Sequence, residues 1–345
     1  MSEWDGKSVA ITGVCGTVGK ALLKIMASTG ASEIIGLDNN ESELFFVQQD
    51  YKEDDRVRLF TLDIRDRDGL RRRFAGADVV LHSAALKHVI LNEHSPREAI
   101  QTNIHGTQNV IDAALESGVG RVLFTSSDKA VNPTNVMGTS KLMGERLMTA
   151  ANADRQGMET IFASTRFGNV LGSRGSVIPI FRRQIAQGGP ITVTDEEMTR
   201  FIMTLEGAAD LVVKSTFLAK GGEVFVTKMP VVRIIDLAKV MIEEIASDYG
   251  YKPEDIKINI IGPKPGEKLY EELITDEEVR RVIELPNYYV VTPAFHSVYR
   301  NVNYGYEGMV ESEVREPYNS SVAPAMSIEE IRKYLRVNNL LKDVE

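Results

Sequence analysis

Short apolar segments alternate with longer amphipathic segments along the first half of the chain. The apolar segments are rich in β-branched residues, which predicts buried strands at residues 7–13, 33–38, 57–63, 78–85, 121–125 and 161–170. Between them, apolar residues recur at helical spacing, most extensively at about 96–117 and 136–151. Strands that alternate with helices predict an α/β fold with a doubly wound parallel sheet.

A glycine-rich turn follows the first predicted strand. Its glycines are spaced Gly-x-x-Gly-x-x-Gly, and a helical segment follows at 20–26. Glycines let the backbone approach a pyrophosphate, whose charge is then stabilised by free amide groups at the start of the helix. The position between a strand and a helix predicts a Rossmann-type domain, in which the cofactor contacts are Gly13, Gly16, Thr17, Val18 and Gly19.

The second predicted strand ends in an acid, Asp38, about twenty residues after the glycines. A carboxylate there can accept hydrogen bonds from both ribose hydroxyls of NAD and repel the 2′-phosphate of NADP. Asn39 and Asn40 follow it, rather than an arginine. NAD is therefore favoured over NADP, although Arg65, just after the third strand, could still reach a phosphate.

A run of polar and charged residues follows the fifth predicted strand. Asn132-Pro133 keeps the chain from entering a helix at once, so Ser127, Asp128 and Lys129 are expected at the carboxyl end of that strand. Ligands of open parallel α/β sheets bind there. An isolated Asp-Lys pair would more often be a surface turn. A helix beginning near Val136 would place Met137 and Lys141 on one face.

This run resembles the Ser and Tyr-x-x-x-Lys pattern of short-chain dehydrogenases, with Met137 at the tyrosine position. More closely, it resembles the Thr-Asp-Lys-Ala-x-Asn-Pro segment of the UDP-N-acetylglucosamine 4,6-dehydratases, some of which carry this methionine. Other segments resemble that family in register, at residues 84–107, 166–179, 191–201 and 264–273. The chain is identified as a member of this family of extended short-chain dehydrogenases over about residues 7–273.

The resemblance implies further cofactor contacts. Asp63 and Ile64 match the position that lines the adenine, although Asp63 could instead be a helix N-cap. Ala84 and Ala85 are small enough for a cofactor to lie against the backbone. Lys141 would hold the nicotinamide ribose.

It also implies a set of substrate contacts: Lys87, Asn169, Arg200, Lys264 and Glu267. Arg200 could grip a diphosphate with two hydrogen bonds, or form a structural ion pair with a nearby acid. Lys264 stands where the family has arginine, which keeps the charge but loses the planar fork. Lys87 would, on its own, more often be a surface lysine.

The implied reaction has three steps: oxidation of C4 of the hexose, elimination across C5 and C6, and return of the hydride to C6. Asp128, if shielded from water, could protonate the C6 hydroxyl. Lys129, with a pKa lowered by burial and by Lys141, could take the C5 proton. A thioether cannot replace tyrosinate, so Asp128 or Lys129 is expected to take the C4 hydroxyl proton, with Ser127 as hydrogen-bond partner.

Several alternatives stay open. The resemblance covers enzymes that retain the C5 configuration, enzymes that invert it, and enzymes that release a 5,6-ene. An NAD-dependent UDP-sugar 4-epimerase and a silent nucleotide-sugar-binding protein are the rivals outside the dehydratases. The product would serve the synthesis of a surface glycan or a nonulosonic acid.

The composition mainly excludes certain kinds of partner and site. A net charge of −9 without a basic run argues against nucleic acid or an anionic membrane as partner. The single cysteine, Cys15, excludes an intramolecular disulfide, and the five histidines lack metal-ligand spacing, so no metal site is expected. The chain shows neither a signal peptide nor a long apolar run, which favours a cytoplasmic location. By resemblance, the helices at 96–117 and 136–151 imply a homo-oligomer.

The predicted domains follow from the change of pattern near residue 170. Residues 1–170 form the NAD-binding domain, to which 206–235 return. Residues 171–205 and 236–345 form a smaller C-terminal domain that binds the nucleotide sugar, UDP-N-acetylglucosamine. Within this second half, a helix is predicted at 234–245 and a strand at 256–261.

Overall fold

The computed structural model describes residues 2–153, 159–173, 175–262, 266–295, 302–310 and 314–342. The strands in chain order are β1 (Ser8–Thr12), β2 (Glu33–Asp38), β3 (Val57–Thr61), β4 (Val79–His82), β5 (Arg121–Thr125), β6 (Ile161–Arg166), β7 (Asn169–Val170), β8 (Ile191–Val193), β9 (Thr199–Met203), β10 (Val224–Thr227), β11 (Val231–Arg233), β12 (Ile258–Ile260), β13 (Glu272–Ile274), β14 (Val282–Glu284), β15 (Tyr288–Val291) and β16 (Tyr318–Asn319). The α-helices are α1 (Thr17–Ala27), α2 (Glu41–Asp50), α3 (Arg67–Phe74), α4 (Val89–His94), α5 (Pro96–Ala99), α6 (Gly106–Glu116), α7 (Val136–Ala151), α8 (Val177–Ala186), α9 (Leu205–Leu218), α10 (Ile234–Ile245), α11 (Asp276–Val279) and α12 (Ile328–Val337).

A nine-stranded sheet forms the centre of the molecule, in the order β14-β15-β10-β6-β5-β4-β1-β2-β3. The strands from β10 to β3 run parallel, and β15 and β14 add an antiparallel edge. The chain reverses its direction of travel across the sheet between β1 and β4, which is the topological switch point of a dinucleotide-binding fold. The predicted doubly wound parallel sheet is therefore confirmed.

Helices cover both faces of this sheet. Apolar side chains of α1 and α9 pack on one face, and those of α3, α6 and α7 pack on the other. Because the central strands are buried on both faces, β1 and β4 consist of buried residues throughout rather than alternating ones. This double cover holds the strand ends, and hence the loops that follow them, in fixed positions.

A second core lies in the C-terminal half. Buried side chains of α8, β8, α10 and α12 form it, for example Phe181, Ile185, Leu237, Met241 and Leu335. Three small sheets accompany it, with the orders β11-β9-β7, β12-β8 and β13-β16. The domain boundary needs one correction, because β14 and β15 pair with the main sheet although residues 236–345 were assigned to the second domain.

Some predicted element boundaries also change. The strand expected at 161–170 is two strands in different sheets, β6 and β7. The chain turns between them at Gly168, whose backbone lies so close to Phe201 that an added Cβ would approach it to 2.7 Å. The strands expected at 57–63, 78–85 and 256–261 are shorter, and helix 234–245 is as predicted. Among the described residues, no helix is long and apolar enough to cross a bilayer.

Candidate active site

The loops after β1, β2, β4, β5 and β6 all leave the same edge of the sheet, because these strands are parallel neighbours. The sequence places most of the predicted cofactor and catalytic residues in these loops. The carboxyl edge of a doubly wound sheet is where its ligands bind. The candidate site is therefore built on this edge.

The glycine loop between β1 and α1 is packed too tightly for side chains. Gly13 has a φ of +70°, and an added Cβ would lie 2.7 Å from the backbone of Ala84. A Cβ on Gly19 would lie 2.0 Å from the carbonyl oxygen of Gly13. Gly16 is the N-cap of α1, and Thr17 and Val18 open the helix. The first amides of α1 have no intrahelical acceptor and can bind an anion.

Asp38, at the end of β2, lies beside the glycine loop and is hydrogen-bonded to it. Its carboxylate accepts hydrogen bonds from the backbone amides of Cys15, at 2.9 Å, and Asn40, at 3.0 Å. These bonds fix the carboxylate at the end of β2, beside the glycine loop. The nearby carboxylate and burial together raise the pKa of Cys15 to about 12, so the thiol stays protonated.

Asp63 and Ile64 follow β3, as predicted, but Asp63 does not cap a helix. Helix α3 is capped by Asp66, which accepts from the amide of Gly69 at 2.9 Å, so the N-cap alternative for Asp63 is wrong. Asp63 instead binds the guanidinium group of Arg65 at 2.7 Å, which lowers the pKa of the carboxyl. Arg65 also contacts Glu98, and the side chain of Ile64 is buried.

The loop after β4 is held in place by a buried asparagine. Asn103 lies in a π-helical segment, Ile100–His105, that interrupts the helix predicted at 96–117. Its side chain accepts from the amide of Leu86 at 2.8 Å and donates to the carbonyl oxygen of Leu86 at 2.9 Å. Ala84 and Ala85 precede this anchor, and Lys87 follows it in an exposed position.

Ser127, Asp128 and Lys129 lie directly after β5, as predicted, and Asp128 begins a 3₁₀ turn. One carboxylate oxygen of Asp128, Oδ1, accepts from Ser127 Oγ at 2.6 Å and from Lys129 Nζ at 3.0 Å. The other oxygen, Oδ2, is buried and has no hydrogen-bond partner among the residues that the structure describes. Buried polar atoms are normally hydrogen-bonded, so Oδ2 is an atom that a bound ligand can satisfy.

Lys129 is surrounded by acceptors. Besides Asp128, its Nζ atom lies 3.6 Å from Glu271 Oε1 and 3.5 Å from Asn169 Oδ1. Burial alone would lower the pKa of Lys129, but the two carboxylates outweigh burial and raise the pKa above its usual value. The expectation of a lowered pKa is therefore wrong, because Lys141 points to another acceptor and two acids flank Lys129.

Arg200 holds a segment of the second domain against this cluster. Its buried guanidinium group donates to the carbonyl oxygens of Thr199, Lys268 and Leu269 at 2.7 to 3.1 Å. It also lies 3.6 Å from Glu271 and 3.8 Å from Glu267. The structural ion pair considered as an alternative for Arg200 is thus present. The predicted phosphate contact of Arg200 stays a prediction, and Lys264 lies outside the described residues.

Comparison with known proteins identifies the family. Residues 9–293 match the family described as polysaccharide biosynthesis protein. The chain belongs to this family. An uncharacterized membrane protein of Methanocaldococcus jannaschii is 47% identical over 96% of each chain. An inverting UDP-N-acetylglucosamine 4,6-dehydratase of Campylobacter jejuni is 38% identical, over 86% of this chain and 85% of the relative.

Two further proteins are similar over almost the whole chain. A UDP-glucose 4-epimerase of Rickettsia akari is 38% identical over 95% of each chain. The X-ray structure of Pen from Bacillus thuringiensis has 40% identity and a TM-score of 0.89, covering 97% of this chain and 99% of that one. The resemblance drawn from the motifs is confirmed at the level of the family.

In this member of the polysaccharide biosynthesis family, the position expected for tyrosine holds a buried methionine, Met137, in the first turn of α7. That turn rests on the loop after β5, since a Cβ on Gly138 would lie 2.2 Å from the carbonyl oxygen of Lys129. The thioether of Met137 has no proton to exchange. Its carbonyl oxygen accepts from Ser140 Oγ at 2.7 Å, and Ser140 in turn accepts from Asn103.

The sequence analysis did not find Glu271. It lies four residues after Glu267, and its backbone is bound to Ser320 through both its amide and its carbonyl group. Only its place three residues after the Gly-Glu-Lys motif could have singled it out. The structure thus brings Ser127, Asp128, Lys129, Asn169, Arg200 and Glu267 into one continuous cluster, to which Glu271 must be added.

Proposed function

We propose that this chain is an NAD-dependent UDP-N-acetylglucosamine 4,6-dehydratase, which makes a UDP-4-keto-6-deoxy-N-acetylhexosamine. The observation that carries the proposal is the ion pair between buried Asp128 and partly exposed Lys129 at the carboxyl end of β5, in which one oxygen of Asp128 has no partner among the described residues. A dehydratase needs an acid and a base at neighbouring carbons, and this pair supplies both. The Campylobacter jejuni relative named above carries the same activity in its name.

The residues at the glycine loop fit a dinucleotide. The close approach of Gly13 to Ala84 and of Gly19 to Gly13 leaves backbone, rather than side chains, facing the start of α1. Asp38 stands beside this cradle as an acceptor for ribose hydroxyls. NAD, when bound, supplies the hydride acceptor and donor of the reaction. Its expected contacts are Gly13, Gly16, Thr17, Val18, Gly19, Asp38, Asp63, Ile64, Ala84, Ala85 and Lys141.

Asp128 moves one proton through its free oxygen. Oδ1 is held by Ser127 and Lys129, so Oδ2 is the atom that faces substrate. As C4 is oxidised, Oδ2 accepts the proton of the C4 hydroxyl group. It then donates this proton to the C6 hydroxyl group, which leaves as water. The carboxylate ends in its initial state.

Lys129 moves a second proton at C5. As a neutral amine it takes the proton that the neighbouring C4 carbonyl group has made acidic, and it returns a proton to C5 after C6 is reduced. The raised pKa of Lys129 means that only a minor fraction is neutral at pH 7, but it also makes that neutral amine a stronger base. Lys87, Asn169, Arg200, Lys264 and Glu267 are proposed to contact the nucleotide sugar.

A UDP-sugar 4-epimerase is the second candidate, favoured by the Rickettsia akari relative. The Asp128–Lys129 pair argues against it, because an epimerase moves a proton only at the C4 hydroxyl group and has no use for a second proton-transferring group at C5. A catalytically inactive protein that binds nucleotide sugars is the third candidate, and the Asp128–Lys129 pair argues against this candidate as well.

One experiment separates these functions. The protein is incubated with NAD and UDP-N-acetylglucosamine in deuterated water, and the products are followed by NMR. A dehydratase produces a new C6 methyl group and incorporates deuterium at C5, and the coupling constants show whether C5 is retained or inverted. An epimerase changes the configuration at C4 without deuterium at C5. If the substrate stays unchanged while NAD and the sugar nucleotide bind, the dehydratase proposal is wrong.

A further inference from the structure

A segment of the second domain, residues 266–272, lies across the loop that carries Asp128 and Lys129, and we name it the strap. The carbonyl oxygen of Gly266 accepts from Thr134 at 3.2 Å and from Asn135 at 3.1 Å. Farther along, Lys268 donates to the carbonyl oxygen of Val131 at 2.9 Å. The strap is thus fastened to the loop after β5 at more than one point, and it brings its own side chains to the catalytic pair.

Glu271 is the strap residue that reaches the catalytic lysine. Its side chain is buried, with 4% exposed, and Oε1 lies 3.6 Å from Lys129 Nζ. The other oxygen, Oε2, is buried and has no hydrogen-bond partner in the described part of the chain. The neighbouring acid points elsewhere, since Glu272 accepts from Asn132 at 3.0 Å and lies 3.6 Å from Lys268. Two adjacent acids of the strap therefore have separate surroundings, and only one is next to Lys129.

We propose that Glu271 is a positioning residue for Lys129, whose carboxylate holds the ammonium group between the strap and Asp128 and determines how readily Lys129 changes its charge. The function of the strap is then to complete the catalytic cluster from the second domain. The effect of Glu271 on catalysis rests on the dehydratase reaction proposed above, whereas the effect of Glu271 on the charge of Lys129 does not.

The charges around Lys129 set the direction of the effect. Asp128 from its own turn and Glu271 from the strap favour the ammonium form, while burial and Arg200 of β9 oppose it. Asn169 at the start of β7 is neutral. Replacing Glu271 by glutamine keeps the shape of the side chain and removes one of the two favourable charges. The amine then loses its proton at a lower pH.

The test measures Lys129 directly. Because 27% of its side chain is exposed, Lys129 can be dimethylated in the full chain with ¹³C-formaldehyde and a borane or cyanoborohydride reductant, and its NMR signal is assigned by its absence from Lys129→Ala. In Glu271→Gln the titration midpoint of this signal should fall by about one pH unit or more, since opposite charges at this range shift a pKa by that amount. Glu271→Asp, which keeps the charge, should stay closer to the unchanged protein. Glu272→Gln is the matched control and should not move the midpoint.

The steady-state rate of dehydration gives a second readout. In Glu271→Gln the acidic limb of the pH profile of kcat should move to lower pH together with the NMR midpoint. A lower kcat at every pH, with both midpoints unmoved, would show that Glu271 only supports the structure and would overturn the proposal. An equal shift in Glu272→Gln would overturn it too. If no dehydration is found with any variant, the proposed function fails, but the NMR midpoints still decide the role of Glu271.

Discussion

The Nζ atom of Lys141 donates a hydrogen bond to the backbone carbonyl oxygen of Thr125, at 2.9 Å. Lys141 is buried, and its ammonium group lies 4.7 Å from the ring centroid of Phe124. Burial lowers the pKa of Lys141 to about 8, against the smaller opposing effect of Glu145. The carboxyl end of β5 is thus tied to α7 through a lysine whose charge is costly to bury.

Lys141 should therefore make the stability of the protein depend on pH. Because its folded-state pKa, about 8, lies below the usual lysine value of 10.5, the cost of the buried charge is fully present below pH 8 and disappears as pH rises to 10.5. We expect the free energy of unfolding of the unchanged protein to rise by about 3 kcal/mol more across this window than that of Lys141→Met. Urea unfolding at several pH values measures this, with the exposed Lys24→Met as control. If the free energy of unfolding changes equally with pH in the unchanged protein and in Lys141→Met, the prediction is wrong.

A buried charge triad links the two halves of the molecule. Arg166 of β6 donates to Glu145 of α7 at 2.7 Å and to Glu278 of α11 at 2.8 Å. The triad joins the helix that carries Lys141 to the segment that follows the strap. The guanidinium group of Arg166, a hydrogen bond from the backbone amide of Thr275 and the charge of Arg281 outweigh burial and lower the pKa of Glu278 to about 2.

Glu278→Gln should destabilise the protein by about 3 kcal/mol at pH 6, because it leaves a buried guanidinium group with only one acid. The folded pKa of Glu278, about 2, lies below the usual 4.5, so its contribution is present above pH 4.5 and is lost as pH falls through 2. The difference in free energy of unfolding between the unchanged protein and Glu278→Gln should therefore shrink in acid, which urea unfolding at several pH values measures. The exposed Glu277→Gln is the control. A difference that stays constant from pH 6 to pH 3 would refute the lowered pKa of Glu278.

The sequence predicts the sheet better than it predicts the charges of the site. The positions of the strands and helices follow from local patterns, because each apolar run and each helix between them can be recognised from neighbouring residues. The environment of Lys129 cannot be recognised in this way. Glu271 is far away along the chain and reaches Lys129 only because the strap folds over the loop after β5. Arg200 likewise looks like a ligand contact in the sequence, and its carbonyl partners appear only with the fold.

Asp38 should determine the choice of cofactor. Asp38→Asn removes the negative charge at the end of β2, and we expect the preference for NAD over NADP to fall about tenfold, as for loss of a hydrogen bond to a charged group. Isothermal titration with both nucleotides measures the preference, with the exposed Glu41→Gln as control. If the unchanged protein binds NADP more tightly than NAD, Asp38 does not determine the cofactor preference, and Arg65 becomes the residue to replace.

Met137 should matter for packing and not for proton transfer. Met137→Leu keeps most of the buried volume and should cost less than about 1.5 kcal/mol, whereas Met137→Ala should cost about 3 kcal/mol. Both should keep a measurable rate of dehydration, because the thioether supplies no proton. An inactive Met137→Leu that is folded and binds cofactor would show that this side chain has a chemical role.

The division of labour between Asp128 and Lys129 gives the sharpest prediction. Lys129→Ala removes the C5 base, so it should still oxidise C4 and then stall, and the absorbance of reduced NAD should build up after substrate is mixed in. This variant also removes the cation between Asp128 and Glu271. Lys129→Arg keeps a cation there but cannot lose its proton, so it should stall at the same step. Agreement between the two variants would assign the stall to proton transfer rather than to a disturbed charge cluster.

Asp128→Asn should behave differently, because it keeps the shape of the side chain but can neither accept nor donate the proton. If Oδ2 of Asp128 takes the C4 hydroxyl proton, this variant forms no reduced NAD and no product, while it still binds both ligands. The exposed Asp210→Asn on α9 is the control and should turn over normally. The opposite pattern, with reduced NAD in Asp128→Asn and none in the Lys129 variants, would make Lys129 the C4 base. Normal turnover in all three variants would mean that Asp128 and Lys129 do not carry the proton transfers and that the chemistry takes place elsewhere.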